Sequence, residues 1–159
     1  MKPGDSGERA CANLSPQLGA LLGDACVLTD AASLRFHAQD VYGSGVPPLA
    51  VVRPGSVEEL AAAVQLVTAA GAAVVARGGG MSYTDGYLPI GENTVTFDTT
   101  RLNRIVEINP RDRYVTVECG VTWKELAEAL APHALRTPYW GPLSGLRATV
   151  GGALSQGSI

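Results

Sequence analysis

Aromatic, histidine and charged residues are scarce in this 159-residue sequence, and these scarcities exclude several classes of function. Charged residues make up 17% of the chain, the twelve lysines and arginines are scattered, and the formal net charge is −3. Such a distribution provides no electrostatic footprint for nucleic acid or for an anionic membrane surface. With two histidines, three cysteines and no C-x-x-C spacing, the sequence offers no zinc site.

Long hydrophobic runs and paired cysteines are also missing. No window approaches the ~18–20 apolar residues that a membrane span needs, and the first residues do not combine a basic region with a long apolar run. Cys11, Cys26 and Cys119 are odd in number and far apart, which favours reduced thiols. We therefore expect a soluble, cytoplasmic protein without membrane or nucleic-acid partners. His37 and His133 are interpreted as ordinary surface or helix-end residues.

Glycine and proline, in contrast, are abundant, at 19 and 10 residues. They gather between apolar segments, and hydrophobic residues make up 46% of the chain. This composition is globular and predicts several short elements joined by tight loops. A chain of this length suits one domain with a substantial buried core.

The first half of the chain predicts a parallel strand–helix–strand unit. Ser56 and Glu59 have the spacing of a capping box, which opens a helix that ends near Gly71. Apolar strands at Ala50–Val52 and Ala73–Ala76 flank this helix, and this order favours parallel strands. The elements predicted ahead of this unit are a loose tail at residues 1–14, a helix with Ser15 as N-cap and Pro16 at its first position, and a helical turn at residues 34–40.

The second half of the chain predicts a β-hairpin followed by one helix. The predicted strands are Thr94–Asp98, Ile105–Asn109 and Tyr114–Cys119, of which the last two form the hairpin. Thr122 and Glu125 form a second capping box, and the helix that they open stops at Pro132. Residues 136–150 are predicted to be loop.

The segment Arg77–Tyr83, with three consecutive glycines, carries the strongest functional signal. It follows an apolar run and ends in a hydroxyl pair. Glycine admits positive φ and has no Cβ, so successive amides can face a ligand and form an anion-binding nest. The expected guest is a phosphate or a pyrophosphate.

Other phosphate motifs fit this segment less well. A P-loop requires a lysine after the glycines, and none follows here. Gly78 and Gly80 fit a dinucleotide fingerprint, but Tyr83 stands at the third glycine position and residues 82–91 do not resemble a helix. A plain glycine-rich turn without a ligand is the alternative for this segment on its own.

A second glycine-rich segment, residues 148–155, again combines a double glycine with hydroxyl groups. We expect it to be a loop that grips the same pyrophosphate from another side, so that amides of two glycine turns converge. Each hydrogen bond to a charged acceptor contributes roughly 1.5–3 kcal/mol. Four or five such bonds would hold a dianion without a lysine.

Several motifs occur in a fixed order along the chain. They are Pro54-x-Ser56-x-Glu58-Glu59, the glycine segment Arg77–Ser82, Thr96-Phe97-Asp98, the run Val117–Thr122, and the run Ala148–Gly152. In this order and spacing they resemble the FAD-linked oxidases of the vanillyl-alcohol oxidase or p-cresol methylhydroxylase (PCMH) type. The resemblance covers residues 48 to 159.

The resemblance implies an α+β fold, namely a two-lobe FAD-binding domain of the PCMH type. Its first lobe would be complete, with a small βαβ sheet, and its second lobe truncated. Residues 1–47 would then form an N-terminal tail with short helices. Residues 48–159 would form the FAD-binding domain, incomplete at its C-terminus.

The same resemblance implies which residues hold FAD. The pyrophosphate is expected on the first glycine segment, and the second segment is expected along the flavin and its phosphates. Pro138, Gly141 and Ser144 are expected beside the isoalloxazine. The implied cofactor-binding residues are Arg77, Gly78, Gly79, Gly80, Met81, Ser82, Tyr83, Pro138, Gly141, Ser144, Ala148, Thr149, Gly151, Gly152 and Ser155. No catalytic residue and no metal ligand is implied.

Two positions depart from the family pattern. Some members carry a histidine after the last glycine and tether the 8α-methyl of the flavin through it. Met81 stands at this position, and a thioether cannot replace that nucleophile, so we expect noncovalent FAD. Arg147 stands where many members have a small residue; it pairs either with a phosphate or substrate acid, or with a surface carboxylate.

The implied function is the FAD-binding portion of a flavin-dependent oxidoreductase. The complete enzyme would be an oxidase or dehydrogenase that acts on an alcohol, a hydroxy acid, a sugar or a phenol. Family members continue into a substrate domain, so a small-molecule substrate is expected only with a missing C-terminal domain. The alternatives are a non-catalytic nucleotide-binding or interaction module, whose sheet a partner chain completes, and an inactive fragment that needs a partner segment.

Overall fold

The computed structural model describes residues 13–158, which form two compact units. The first unit contains residues 13–77 and 82–98, and the second contains residues 78–81 and 99–158. The tail predicted at residues 1–14 lies outside the described residues except for its last two positions. Within the described range, no helix is long and apolar enough to cross a bilayer.

The first unit consists of a four-stranded mixed sheet and three helices. Its helices are α1 (Leu14–Leu22), α2 (Ala31–His37) and α3 (Val57–Ala69), and its strands are β1 (Val27–Leu28), β2 (Ala50–Val52), β3 (Ala73–Arg77) and β4 (Thr94–Asp98). The strand order is β1-β2-β4-β3. Strand β1 is antiparallel to β2, whereas β4 is parallel to both of its neighbours.

The central position of β4 is the main difference from the predicted strand–helix–strand unit. Strands β2 and β3 run in the same direction, as expected for strands joined by a helix, but β4 lies between them. All five residues of β4 are buried, whereas most of β3 is exposed. A strand buried on both faces belongs inside a sheet. The predicted parallel direction is therefore confirmed, and the structure adds β4 between the two strands.

Helix α3 begins with the predicted cap. Ser56 Oγ accepts a hydrogen bond from the amide of Glu59 at 3.1 Å. In a capping box the Glu59 carboxylate would accept from the amide of Ser56. Here it accepts from the amide of the preceding residue, Gly55, at 2.7 Å. Gly71 follows the helix with φ of 77°, as the predicted terminal glycine should.

The two short helices begin earlier than predicted. Asn13 is the N-cap of α1, so Ser15 lies inside the helix instead of capping it. Asp30 is the N-cap of α2, and its carboxylate accepts from the amide of Ser33 at 2.9 Å. Hydrogen bonds from Ser33 hold the pKa of Asp30 below its ordinary value. A carboxylate at this position satisfies an otherwise unpaired amide of the first turn.

The core of the first unit joins its helices to its sheet. Its fully buried side chains include Leu18 of α1, Val52 of β2, Val67 of α3 and Phe97 of β4. Helix α1 therefore packs in the same core as the strands that follow residue 48. Burial of such side chains is the main favourable term for a small domain.

The second unit consists of a hairpin, two helices and short 3₁₀ turns. Its elements are β5 (Ile105–Asn109), β6 (Tyr114–Val117), α4 (Trp123–Leu130), α5 (Val150–Ser155) and 3₁₀ turns at Ala131–His133 and Pro142–Gly145. The predicted hairpin is confirmed, and its register shifts between Ile105 and Glu107. The predicted capping box of Thr122 and Glu125 is confirmed in both directions.

Helix α5 occupies residues that the sequence predicted to be loop. Thr149 caps it, with Oγ1 accepting from the amide of Gly152 at 3.2 Å. The amide of Gly151 donates to the carbonyl of Cys119 at 2.9 Å. A Cβ at Gly151 would lie 2.5 Å from the Cβ of Cys119, so glycine admits a close backbone approach there. Tertiary packing thus overrides the low helix propensity of the double glycine.

Candidate functional site

The glycine segment of the second unit, residues 78–81, presents a run of backbone amides. In the part of the chain that the structure describes, none of the N–H groups from Gly78 to Met81 donates a hydrogen bond. Gly80 has φ of 71°, a backbone state that helps successive amides point to a common side. All of these residues are half-buried. The segment can therefore offer its amides to an anion.

The glycines of this segment lie directly against residues 147–149 of the same unit. A Cβ on Gly78 would lie 2.6 Å from Oγ1 of Thr149. A Cβ on Gly79 would overlap the carbonyl oxygen of Arg147. Only glycine fits both positions without movement of its neighbours. The structure thus brings the two glycine-rich segments together and sets a hydroxyl beside the run of amides.

In the second glycine-rich segment, the amides of the double glycine form hydrogen bonds within the protein. The amides of Gly151 and Gly152 already donate, to the Cys119 carbonyl and to Oγ1 of Thr149. These two amides are therefore not available to a ligand, and the expected convergence of amides from two glycine turns stays a prediction. One segment offers unpaired amides, and the other offers packing surface and the hydroxyl of Thr149. Because that oxygen accepts from Gly152, its own hydrogen is left to donate.

The predicted isoalloxazine neighbours lie in the loop before α5. Gly141 has φ of 61°, and a Cβ there would lie 2.5 Å from Cδ1 of Trp123 and 3.2 Å from the Cβ of Ala148. Both of these neighbours are buried in the core of the second unit. Pro138 is exposed ahead of this contact, and Ser144 lies in the 3₁₀ turn after it.

Two further predicted residues belong to the second unit. The side chain of Met81 packs, half-buried, against that unit's core. The hydroxyl of Ser155 donates to the carbonyl of Gly152 at 2.9 Å, so it is engaged within α5. The roles of all these residues as cofactor ligands stay predictions.

Arg77 and Ser82, which flank the glycine segment in sequence, are buried in the first unit. The guanidinium carbon of Arg77 lies 5.1 Å from the ring centre of Phe36 and 5.2 Å from that of Tyr87. These are cation–π distances. The Oγ of Ser82 lies 3.1 Å from Oγ1 of Thr84.

Tyr83 is half exposed, and a carboxylate fixes the loops around it. Its ring centre lies 5.6 Å from that of Tyr42. Asp40 accepts from the amides of Gly43 at 2.7 Å, Tyr42 at 2.8 Å and Asp85 at 3.0 Å. These donors, the amide of Gly43 foremost, hold the pKa of Asp40 below its ordinary value.

Sequence reasoning missed a polar cluster around the buried carboxylate of Asp98 in the first unit. His37 is the last residue of α2, as a helix-end histidine would be, but it is buried rather than on the surface. Its Nε2 lies 3.5 Å from Oδ2 of Asp98, and Nδ1 lies 2.8 Å from the carbonyl of Ser33. Arg53 Nε lies 3.5 Å from the same Asp98 oxygen. The only signal in the sequence was a carboxylate ending an apolar strand, since a buried charge needs a partner.

The donor set of the second unit suits a diphosphate. Neutral amides and a hydroxyl bind an oxyanion through their dipoles and need no lysine. Gly78 and Gly79 lie so close to residues 147–149 that a side chain at either position would clash. An α+β chain whose glycine segment offers such donors is typical of the class of cofactor-binding domains. A family model described as FAD binding domain matches residues 48–159, and the chain belongs to this family.

Relatives of known name agree with this assignment. The chain is 30% identical over 143 residues to an uncharacterised FAD-linked oxidoreductase of Mycobacterium tuberculosis, a match that covers 87% of this chain and 30% of the relative. It is 33% identical over 112 residues to a D-2-hydroxyglutarate dehydrogenase of Xanthomonas citri pv. viticola, which covers 69% of this chain and 23% of the relative. The chain therefore spans less than a third of the length of these proteins.

The fold is also similar to that of a solved p-cresol methylhydroxylase. The TM-score is 0.79 at 22% identity, and the match covers 92% of this chain and 29% of the other. The predicted α+β fold of the PCMH type is confirmed. The chain is thus an FAD-binding domain of the FAD-linked oxidoreductases.

Proposed function

We propose that the amides of residues 78–81 bind the pyrophosphate of FAD, with the hydroxyl of Thr149 as an additional donor. The observation that carries the proposal is the run of unpaired amides pressed, through Gly78 and Gly79, against residues 147–149. In the described residues these N–H groups have no protein partner, so an anion gains hydrogen bonds without breaking any within the protein.

The magnitudes support a role in holding the cofactor, together with other contacts. Four bonds to a charged acceptor supply roughly 6–12 kcal/mol at 1.5–3 kcal/mol each. Association loses an estimated 4–15 kcal/mol of translational and rotational freedom. The free energy of the amide hydrogen bonds is therefore about as large as the free energy lost on association. We expect contacts with the adenine and flavin ends of FAD to contribute the rest of the affinity.

We also propose that the cofactor is bound noncovalently. Met81 carries no nucleophile that can form a bond to the 8α-methyl, and its side chain packs against the core of the second unit. When bound, the flavin supplies the two-electron redox chemistry. The residues of this chain would bind and orient it, and in the whole protein the substrate would be an alcohol, a hydroxy acid, a sugar or a phenol. Cytoplasmic residence stays a prediction.

Titration of the full chain with FAD tests the proposal, with ADP and FMN as separate probes. FAD and ADP share the diphosphate, so both should bind, whereas FMN carries only one phosphate and should bind more weakly. Failure of FAD to bind a folded sample would overturn the proposal. Binding of ADP with no added affinity for FAD would instead favour the nucleotide-binding module.

A set of threonine variants tests the hydroxyl. Thr149→Val removes the hydroxyl beside Gly78 together with the cap of α5, whereas Thr149→Ser keeps both. Thr122→Val is the matched control, because Thr122 caps α4 through its bonds with Glu125. We expect Thr149→Val alone to weaken FAD binding, by about 10- to 150-fold for a bond to a charged group. Equal affinities of the two valine variants would contradict the role of this hydroxyl.

A further inference from the structure

We propose that Phe36 is a positioning residue for the glycine segment and that it acts through Arg77. The proposal rests on the proposed function, because the segment that Phe36 would position is the one assigned to the pyrophosphate. Phe36 belongs to helix α2, ahead of the residues that the family model matches.

Phe36 contacts the buried guanidinium of Arg77. Arg77 is only 5% exposed, and its guanidinium carbon lies 5.1 Å from the ring centre of Phe36 and 5.2 Å from that of Tyr87. A guanidinium removed from water gains most from aromatic faces, because the competing attraction of solvent is lost. The two rings therefore restrict where the Arg77 side chain can lie.

The neighbour of Phe36 fixes the end of α2 beside the sheet. His37 contacts Asp98 through Nε2 at 3.5 Å, and its ring is perpendicular to that of Phe36 at a centroid distance of 5.1 Å. Arg77 and Asp98 are register partners at the carboxyl ends of the parallel strands β3 and β4. Two adjacent side chains of α2 thus contact the last residues of two adjacent strands.

The glycine segment leaves the sheet from one of these strand ends. Gly78 follows Arg77 directly, and after Met81 the chain continues into the buried Ser82. The carbonyl of Ser82 accepts a hydrogen bond from the amide of Val41 at 3.4 Å. Both residues that flank the segment are therefore held by the first unit.

Fixed ends matter here because, apart from the packing of Gly78 and Gly79 against residues 147–149, no hydrogen bond from the segment's own amides to a described residue restrains it. Three consecutive glycines have more backbone freedom than any other tripeptide, and their amides form no hydrogen bonds with described residues. Ligand binding must order such a segment, and anchoring in advance reduces the loss of entropy. Loosening the contact with Arg77 should therefore weaken FAD binding although Phe36 is not one of the residues assigned to the cofactor.

The test compares two variants of Phe36 with a control. Phe36→Leu removes the ring but keeps apolar volume, whereas Phe36→Tyr keeps the ring and should rescue the contact. Tyr114→Leu is the control, because it removes a ring of similar exposure, 46% against 48%, from the hairpin. The dissociation constant for FAD is measured on the full chain at a temperature where thermal melts show every variant folded. We expect it to rise in Phe36→Leu by more than about twofold and by at most about 30-fold, the limit set by loss of a whole cation–π pair, and to change less than about twofold in the other two.

A second measurement does not depend on the cofactor. Backbone ¹⁵N order parameters of residues 78–80 in the free chain should fall in Phe36→Leu and stay as in the parent in Phe36→Tyr and Tyr114→Leu. A lower melting temperature of Phe36→Leu with unchanged order parameters and unchanged FAD affinity would overturn the proposal. Phe36 would then contribute to the stability of the fold only. If the parent chain fails to bind FAD, the proposed function fails, while the order parameters still decide whether Phe36 positions the segment.

Discussion

Replacing Gly79 by alanine tests the closest contact in the candidate site. The new Cβ would overlap the carbonyl oxygen of Arg147, which is a backbone atom and cannot rotate away. Either the glycine segment or residues 147–149 must then move. Insertion of atoms into well-packed structure typically loses 1–3 kcal/mol, and we expect Gly79→Ala to lie near the upper end, at about 3 kcal/mol. The displaced segment should also bind FAD more weakly.

Gly91→Ala is the matched control for this substitution. A Cβ at Gly91 meets no heavy atom within 4 Å, and its φ is not in the left-handed region. Alanine there should raise the free energy of unfolding by about 0.4–1 kcal/mol, because it restricts the unfolded chain. Urea denaturation followed by tryptophan fluorescence measures both variants. Equal stability of the two alanine variants would refute the close contact between the glycine segment and residue 147.

Three further predictions concern other parts of the chain. The amides that bond Asp40 lower the pKa of its carboxyl, so the ionised form stabilises the fold at neutral pH and this contribution is lost as the pH falls through the folded-state pKa. Between pH 7 and about pH 3, the melting temperature of Asp40→Asn should therefore fall less than that of the parent chain. An equal fall in both would contradict this role of Asp40. Ser56→Ala should destabilise the chain by about 1 kcal/mol in urea and Ser56→Asp should not, because aspartate keeps the N-cap acceptor. Flavin should leave the protein completely on denaturation in SDS, because Met81 forms no bond to it; flavin fluorescence that stays with the protein band would exclude noncovalent attachment.

Most elements set by local chemistry could be predicted from the sequence, although the cap of α1 is Asn13 and not Ser15. The hairpin of β5 and β6 and the caps at Ser56 and Thr122 depend on residues a few positions apart, and the structure contains all of them. Features set by distant contacts could not be predicted. The place of β4 between β2 and β3 depends on burial of both of its faces, and α5 forms against the backbone of Cys119.

The candidate site divides in the same way. The family motifs predicted that the two glycine-rich segments work together, and the contacts of Gly78 and Gly79 place these segments side by side. The sequence could not show which amides are already used, because the partner of Gly151 is a carbonyl far along the chain. Nor could it show that Arg77 contacts the rings of Phe36 and Tyr87, since no local pattern joins these three residues.

The amide resonances of residues 78–81 provide the most direct test of the central claim. In ¹H–¹⁵N spectra of the full chain, addition of FAD should move these four resonances downfield and slow their hydrogen exchange, because each amide gains a phosphate acceptor. The amide of Gly151 is already bonded to the Cys119 carbonyl and should change much less. Binding of FAD with the four resonances unmoved, and with changes confined to other residues, would contradict the assignment of the pyrophosphate to this segment.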